Sequence, residues 1–273
     1  MTTESHKTHI KGVAYIGYVA VQQWRGYLAF LAFLGEWVLA GIRFFVSPNP
    51  RRWKTVVQII DKTGVRALPI IALLSFMIGV VISYQMGNQL RAYGANVFIV
   101  NLLGLSVLRE FGPLMTAILV AGRTGSAFTA ELGAMRLHQE IDALNTFGIA
   151  PSVILIVPRI LGLLAVMPLL IVWADIFGIL GGMVMAHHML DLTWYEFLHR
   201  FQTEIPLSAL LIGLTKAPFF ALLIGNIGCF QGMQVQSSAD SVGTRTTRSV
   251  VLSIFFIIIS DALFSILFSW MGL

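Results

Sequence analysis

Long apolar runs separated by short polar stretches dominate the pattern of this chain, and four of them have the roughly twenty residues that a helix needs to cross a bilayer. They comprise residues 67–86, 97–121, 207–230 and 249–270. A fifth run, residues 152–189, is too long for one crossing and too short for two crossings with a turn. We predict one long or broken helix there, projecting beyond the outer face. The expected break points are Pro168, Gly178, Gly181 and Gly182.

The first apolar stretch, residues 15–45, differs from these runs because polar residues interrupt it. The interruptions are Gln22, Gln23, Arg25 and Glu36. Its longest clean piece, residues 26–35, is too short to cross about 30 Å of hydrocarbon. We therefore predict an interfacial helix along the cytoplasmic leaflet, with a true crossing over residues 26–45 as the alternative. Residues 1–66 then form a cytoplasmic N-terminal part, and residues 67–273 form a domain with five crossings.

Residues 126–147 form an amphipathic connection, the elbow, between the second and third crossings. From Ala130 onward, small and apolar residues recur at steps of three and four, which is the spacing of one helix face. They are Ala130, Ala134, Leu137, Ile141 and Leu144, and polar residues lie beside them. Gly148 suits the left-handed residue that often ends a helix, and Pro151 suits a chain that must not continue it. The pattern predicts a single elbow helix outside the membrane, with one face packed against protein and the other exposed to water.

Composition places the chain among integral membrane proteins. It is 57% hydrophobic and only 11% charged, whereas soluble domains are typically about 25% charged. The single cysteine, Cys229, excludes an intrachain disulfide and a thiolate metal cluster. The neighbours His187 and His188 have no further ligand at metal-binding spacing, so we predict no metal site.

The basic residues are distributed by membrane side, which accounts for the net charge of +5 better than a nucleic-acid partner does. Nine of the eighteen Lys and Arg residues lie in residues 1–66. Three more lie at the elbow and two in the loop before the last crossing, against one in each of the other two loops. By the positive-inside rule, the N-terminus, the elbow and the last loop are cytoplasmic. Five crossings then leave the C-terminus on the outer side.

Ionisable residues interrupt the predicted apolar segments at five positions, Arg109, Glu110, Asp175, Lys216 and Asp261. A charge near the bilayer centre costs at least about 2.5 to 3.5 kcal/mol, so each is expected to face protein or water and to have a partner. Glu110, Lys216 and Asp261 lie near the middle of their crossings, which predicts one buried cluster beside Arg109. This cluster either holds helices together or changes partners as a cavity opens and closes. Helical rise places Asp175 near the outer interface, and we assign it no function.

The chain lacks the G-x-x-x-x-G-K-[ST] phosphate loop, so it does not bind and hydrolyse ATP in the usual manner of P-loop proteins. It also lacks an arrangement of Ser, His and acidic residues that would support hydrolysis. We therefore predict a protein that is not an enzyme and has no cofactor of its own. If it transports a solute, the energy comes from a partner or an ion gradient.

Residues 109–151 contain four motifs in a fixed order: R-E-F-G-P, A-G-R-T-G-S-A, A-E-L-G-A-M-R and E-I-D-A-L-N-T-F-G-I-A-P. A further motif, V-G-T-R-T-T-R, begins at Val242. These motifs resemble the core of the MlaE/YrbE-type permeases, which serve lipid-transporting ABC systems that contain MCE proteins. The resemblance covers about three quarters of the chain.

This resemblance implies an all-α membrane permease with five transmembrane helices, an N-terminal interfacial helix and a cytoplasmic coupling helix at about residues 126–147. It implies a homodimer that works with a cytoplasmic ABC ATPase carrying ATP and Mg²⁺, a periplasmic MCE-domain protein and a small STAS-type subunit. The implied cargo is phospholipid, the location is the bacterial inner membrane, and the role is maintenance of lipid asymmetry. The implied ATPase-coupling residues are Glu131, Arg136, Glu140, Asp142, Leu144 and Gly148.

Two other functions stay open from the residues themselves. An ion-coupled secondary transporter of an amphiphile would use Glu110, Lys216 and Asp261 as a relay, and a non-transporting membrane scaffold would need only the crossings. At the outer end of the first two crossings, Tyr84, Leu90 and Tyr93 form a candidate acyl-chain pocket.

Overall fold

The computed structural model describes residues 13–46, 50–236 and 238–272, and helices form nearly all of these ranges. The α-helices are α1 (Val13–Val46), α2 (Pro50–Thr63), α3 (Leu68–Ala92), α4 (Ile99–Ser106), α5 (Gly112–Val120), α6 (Ser126–Leu137), α7 (Glu140–Thr146), α8 (Val157–Leu190), α9 (Trp194–Glu204), α10 (Leu207–Met233) and α11 (Ala239–Trp270). Within the described ranges, π-helical segments occur at Val107–Phe111, Ala121–Gly125 and Ser152–Ile156. The first two join α4, α5 and α6 into one helical run, and the third leads into α8.

Six helical stretches of the described residues are long and apolar enough to cross a membrane, which confirms an all-α membrane protein. They are Trp24–Val46, Arg52–Ala92, Asn96–Leu137, Ser152–Leu190, Leu207–Met233 and Ala239–Trp270. The last five contain the five predicted crossings. The first lies within α1, whose length suits both the interfacial prediction and the crossing alternative. The number of crossings therefore stays a prediction.

The central helix of the bundle is α8, which packs against α2, α3, α5 and α10. Its face toward these neighbours carries fully buried apolar residues such as Leu163, Met167 and Ile171. The helix runs unbroken to Leu190, and Pro168 lies inside it. The predicted break points were therefore wrong, and the long-helix version of the prediction is the one observed.

The glycines of α8 serve close packing against α3. A Cβ added to Gly79 of α3 would lie 1.9 Å from the carbonyl oxygen of Gly178, and a Cβ added to Gly181 would lie 2.0 Å from that of Phe76. Real side chains never approach a backbone oxygen so closely, so only glycine allows this contact. We call the contact formed by Gly79, Gly178 and Gly181 the glycine seam. Its backbone-to-backbone contacts hold α3 tightly against α8.

The elbow consists of two helices, and the prediction of a single helix over residues 126–147 was wrong. α6 ends at Leu137, and Gln139 has a φ of 60°, in the left-handed region. A left-handed residue ends an α-helix because the chain changes direction there. α6 continues the preceding crossing and packs against α10 and α11, so only α7 forms a separate element.

The polar loop expected before the last crossing is shorter than predicted. α11 begins at Ala239, ten residues before the predicted crossing at residue 249. The Ser238 side chain caps its first turn by accepting a hydrogen bond from the backbone N–H of Ser241. A good N-cap lets a helix begin in polar sequence, before the apolar pattern starts.

The far end of the bundle from the elbow is closed by α9. Its first turn is a capping box, in which the Thr193 hydroxyl accepts from the Glu196 N–H and the Glu196 carboxylate accepts from the Thr193 N–H. Burial of Phe197 fixes α9 against the bundle. Gly104 of α4 leaves room for Ile205, which lies 2.7 Å from the position of an added Cβ.

Candidate functional site

Lys216 is the most deeply buried charged residue in the part of the chain that the structure describes, with 0% of its surface exposed. Its ammonium group donates to Glu110 Oε2 at 2.8 Å, to Asp261 Oδ1 at 2.8 Å and to the backbone carbonyl oxygen of Arg109 at 2.9 Å. An ammonium has three donors, so these bonds use its full hydrogen-bonding capacity. This geometry compensates for the removal of the charge from water.

Pro113 affects the backbone segment that accepts a hydrogen bond from Lys216. In an α-helix the amide of residue 113 would donate to the carbonyl of Arg109, but proline has no N–H. The π-helical turn Val107–Phe111 lies directly before this point, and such turns are frequent at functional sites. Gly213 of α10 allows the approach, because a Cβ there would lie 2.1 Å from a carbonyl oxygen of that turn.

The last crossing completes this charged cluster, which we define as Glu110, Lys216 and Asp261. Ser265 lies one turn after Asp261 on α11 and therefore faces the same direction. Its hydroxyl donates to Glu110 Oε1 at 2.7 Å, so Glu110 contacts both α10 and α11. The side chain of Asp261 is 11% exposed and that of Glu110 is 35% exposed. A group outside the chain can therefore reach the cluster through Glu110.

The structure thus brings together the three side chains that we expected to meet. Arg109, placed beside them in the sequence analysis, contributes its backbone carbonyl to Lys216, and its side chain is half-buried. Two carboxylates surround one ammonium, so binding of another cation or of a proton would change the net charge of the cluster. Whether the cluster acts in transport stays a prediction.

Glu131 of α6 forms a second group of ion pairs. Its carboxylate contacts Lys62 of α2 and lies 3.3 Å from Arg159 Nη2, near the start of α8. Arg159 also donates to the backbone carbonyl of Leu155 at 2.7 Å. Lys62 is more than half exposed, so its pair with Glu131 contributes at most about 1 kcal/mol. The group joins α2 and α6 to α8, so Glu131 is engaged within its own chain.

The other predicted coupling residues lie on or beside α7. Glu140 and Asp142 are exposed in its first turn, where the helix dipole favours acidic side chains. Ile141, between them, is buried and anchors the helix. Arg136 is exposed at the end of α6, and Leu144 is half-buried.

The end of α7 carries a residue that the sequence analysis missed. Gly148 has a φ of 70°, which confirms the predicted left-handed residue at the helix end. Phe147 directly before it is 78% exposed. The available signal was an aromatic residue set between polar sequence and the helix-ending glycine, outside any apolar run.

The candidate acyl-chain pocket is not enclosed within one chain. Tyr84 and Tyr93 are exposed, and Leu90 is half-buried against the apolar cluster near α9. These residues would enclose a ligand only together with a neighbouring molecule.

Asp175 faces the inside of the bundle, and its height near the outer interface stays a prediction. It is 2% exposed, inside the bundle, and Gly112 of α5 faces its carboxylate. Helical rise gives only a height along α8, so the sequence could not show that this residue faces the interior of the bundle.

Comparison with known proteins gives consistent results. Residues 56–267 match the family described as "Permease MlaE". A protein named "Probable ABC transporter permease protein" from Rickettsia bellii is 32% identical over 84% of this chain and 88% of its own length. A protein of the same description from Synechocystis is 32% identical over 76% of this chain and 79% of its own length. The chloroplastic protein Trigalactosyldiacylglycerol 1 of Arabidopsis thaliana is 29% identical over 79% of this chain and 62% of its own length.

The family match covers three of the six candidate crossings completely and two more over nearly their whole length, together with the elbow and the charged cluster. The bacterial relatives extend over most of both chains and are named as permeases of ABC transporters. The chain therefore belongs to the MlaE permease family and is a multi-pass membrane permease of an ABC transporter.

Proposed function

We propose that this chain is one half of a homodimeric ABC transporter that moves phospholipid between the bacterial inner membrane and a periplasmic MCE-domain protein. A separate cytoplasmic ATPase, which carries ATP and Mg²⁺, docks on α7 and drives the transport. The observation that carries the proposal is the exposed end of the elbow in a chain of this family.

The docking surface consists of Arg136, Glu140, Asp142 and Phe147, all of which are exposed. Left-handed residues lie directly before α7 and just after it, so both of its ends change the direction of the chain. An exposed aromatic side chain at the end of a helix that also carries exposed charges is typical of a protein interface, since aromatic residues supply much of the contact energy. Leu144 is half-buried on the same helix, and Gly148 is the left-handed residue that follows the helix.

Glu131 has a different role in this proposal from the one that the resemblance implies. Because it pairs with Lys62 and Arg159, it holds α6 against α2 and α8. A displacement of α7 by the ATPase is then passed to α6, and α6 is continuous with the helix that carries Glu110. The elbow and the charged cluster are thereby linked along one helical run.

Several observations support a lipid as cargo. One relative, the Arabidopsis protein, has a lipid in its name, trigalactosyldiacylglycerol. The partly exposed carboxylate of Glu110 lies among apolar crossings, where an amphiphile offers both a polar head and apolar tails. Tyr84, Leu90 and Tyr93 would contact the tails at the outer end.

The remaining partners follow the family resemblance. Two ATPases pair with two copies of this chain, the MCE-domain protein receives or delivers lipid on the outer side, and a small cytoplasmic STAS-type subunit accompanies the ATPase. The N-terminus and the elbow are cytoplasmic, as the basic residues indicate, and the C-terminus is periplasmic.

Charge reversal at the elbow tests the docking site. We expect Glu140→Lys with Asp142→Lys to abolish copurification of the ATPase, because both carboxylates are exposed and neither supports the bundle. The matched control is Glu204→Lys on α9, an exposed acid at the other end of the bundle. Undiminished ATPase binding by the double variant, with normal membrane insertion, would refute docking on α7.

A reconstitution experiment tests the energy source and the cargo. The permease with its ATPase, in liposomes that contain a fluorescent phospholipid, should transfer this lipid to the MCE-domain protein only when ATP is present. Transfer driven by a proton gradient without ATP would instead support the ion-coupled alternative, in which the charged cluster is a relay. Absence of transfer for phospholipid, together with ATP-driven transfer of another amphiphile, would exclude phospholipid as cargo.

A further inference from the structure

Asp175 is a buried acidic residue that the proposed transport function does not use. It lies in the middle of α8, is 2% exposed, and neither of its carboxylate oxygens has a hydrogen-bond partner among the described residues. It forms no ion pair with any of these residues either. An acid so placed is rare, because buried polar groups are almost always hydrogen-bonded.

The carboxylate points at α5. A Cβ added to Gly112, the first residue of α5, would lie 1.8 Å from Asp175 Oδ1. Only glycine at this position leaves room for the acid. A small cavity of about 10 Å³ adjoins the contact and is lined by residues of α3, α5 and α8, including Ser75, Gly112 and Gly178. This volume is close to that of a single water molecule.

No charged side chain of the described residues forms an ion pair with Asp175, and Lys216 of α10, which also packs against α8, pairs with Glu110 and Asp261 instead. On α3 the residues from Leu68 to Leu90 include one titratable group, Tyr84, which is exposed. On the run from Val107 through α5 the charged residues are Arg109 and Glu110, and neither hydrogen-bonds to Asp175. On α8 itself, the nearest ionisable residues are Arg159 and His187, more than three turns away on either side.

The two contacts of α8 differ in how readily they can open. Against α3 the glycine seam joins backbone to backbone, and parting it would leave glycine surfaces with no side chain to fill the gap. Against α5 the contact includes the buried acid and Gly112, and the small cavity beside them is lined by Met115 of α5 and Ala174 of α8. The segment that ends in α5 also carries Glu110, two residues before Gly112, so movement of α5 involves the charged cluster.

We propose that Asp175 is a proton-binding site: it holds a proton while α5 is packed against α8, and releases it to water when the two helices separate. An isolated carboxylate in an apolar interior is far less stable than the neutral acid, so packing and proton binding favour each other. In the separated state, water solvates the carboxylate and the proton leaves. Each unit of rising pH then favours the separated state by up to about tenfold. The inference does not depend on the lipid or on the ATPase, because its tests use the permease by itself.

Infrared spectroscopy detects the bound proton directly. The full-length protein in lipid nanodiscs should show the C=O stretching band of a protonated carboxylic acid at neutral pH, and the difference spectrum against Asp175→Asn should show the loss of the contribution of Asp175 to this band. The matched control is Asp191→Asn, which removes an exposed acid at the end of the same helix and should leave the band in place. If the wild-type protein has no such band, or if Asp175→Asn loses none of its intensity, Asp175 is ionised and the proposal is wrong.

The pH dependence of unfolding gives a second test with a determined sign. The folded protein holds a proton that the unfolded chain releases above about pH 4, so stability should fall as the pH rises. The wild-type melting temperature should therefore decrease from pH 5 to pH 8 relative to that of Asp175→Asn, which cannot titrate at this position. Asp175→Leu, also neutral, serves if the asparagine variant does not fold. Parallel pH profiles for the wild-type protein and a folded neutral variant would overturn the proposal.

Discussion

Lys216 is the single residue on which the charged cluster depends, because it donates to both of its carboxylates. An ion pair buried in protein stabilises little relative to apolar residues of the same size, but the loss of one partner leaves the other charged and without compensation. Glu110 retains its hydrogen bond from Ser265 in that event, whereas Asp261 loses its ion pair with Lys216. The effect of a substitution at Lys216 therefore falls mainly on Asp261.

Replacement of Lys216 by Met should destabilise the permease by about 3 to 5 kcal/mol, because it leaves two acids without their cation. The expected result is low abundance in the membrane or loss of the proposed lipid transport, measured by quantitative immunoblotting and by the reconstituted transfer assay. Lys62→Met is the matched control, since its pair with Glu131 is largely exposed and should be worth about 0.2 to 1 kcal/mol.

A double variant separates a structural from a transport role of the cluster. Lys216→Met with Asp261→Leu removes both charges and should restore abundance, because an apolar pair there is neutral or stabilising. If this variant also transports lipid, the cluster only holds the helices together. If Lys216→Met alone leaves abundance and transport unchanged, the cluster has neither role.

At the scale of secondary structure elements, the glycine seam decides how closely α3 and α8 approach. Gly79→Ala should separate them, because the new Cβ would overlap the carbonyl oxygen of Gly178, and overpacking costs about 1 to 3 kcal/mol. Thermal unfolding in detergent measures the loss. Gly26→Ala on α1 is the control, since its Cβ would meet nothing within 4 Å and should be neutral or stabilising by up to about 1 kcal/mol. Equal melting temperatures for both variants would contradict the proposed role of the seam.

The cap of α9 gives an element-scale prediction that depends on pH. The backbone N–H and the hydroxyl of Thr193 bond to the Glu196 carboxylate and hold the pKa of Glu196 below its usual value. A lowered pKa in the folded state means that the cap is fully formed above the usual pKa and weakens as the pH falls through the folded value. Hydrogen exchange in the first turn of α9 should therefore show a loss of protection in acid.

Thr193→Ala should remove that protection at neutral pH as well. Thr203→Ala in the same helix is the control, because its hydroxyl bonds only to carbonyls of its own helix, those of His199 and Arg200. If both variants exchange at the same rate, the capping box does not determine the stability of this turn.

At the scale of the whole molecule, the open question of topology concerns α1. If α1 lies along the interface, the N-terminus and the elbow are on the same side of the membrane. If α1 crosses, they are on opposite sides. Neither arrangement changes the five later crossings.

Labelling of introduced cysteines with an impermeant thiol reagent distinguishes the two arrangements. In a Cys229→Ala background, we expect Ser5→Cys and Asn145→Cys to react only from the cytoplasm, and a cysteine added after Leu273 to react from the periplasm. Asn145 is exposed on α7 and serves as the internal reference for the elbow side. Reaction of Ser5→Cys from the periplasm would show that α1 is a sixth crossing.

Much of the fold could be predicted because membrane insertion depends on local sequence. The lengths of the apolar runs predicted the long apolar helices of the last five candidate crossings, and Gly148 marked the end of the elbow. The cost of a charge in the bilayer predicted that Lys216 would meet Glu110 and Asp261. All of these predictions concern depth along the membrane normal or the need for a partner, and both are properties of a short stretch of chain.

Tertiary structure decided how each helix is rotated and which helix lies beside it. Gly178 and Gly181 resemble helix-breaking residues in the sequence, and their role in packing follows only from the position of α3. Gln139 adopts a left-handed conformation that its residue type does not favour, and this divides the elbow. The position of Asp175 along α8 could be predicted from the sequence, but the neighbouring helix that its side chain faces could not. Rotation and neighbours result from packing among all of the helices, and this information is not contained in any single stretch of the chain.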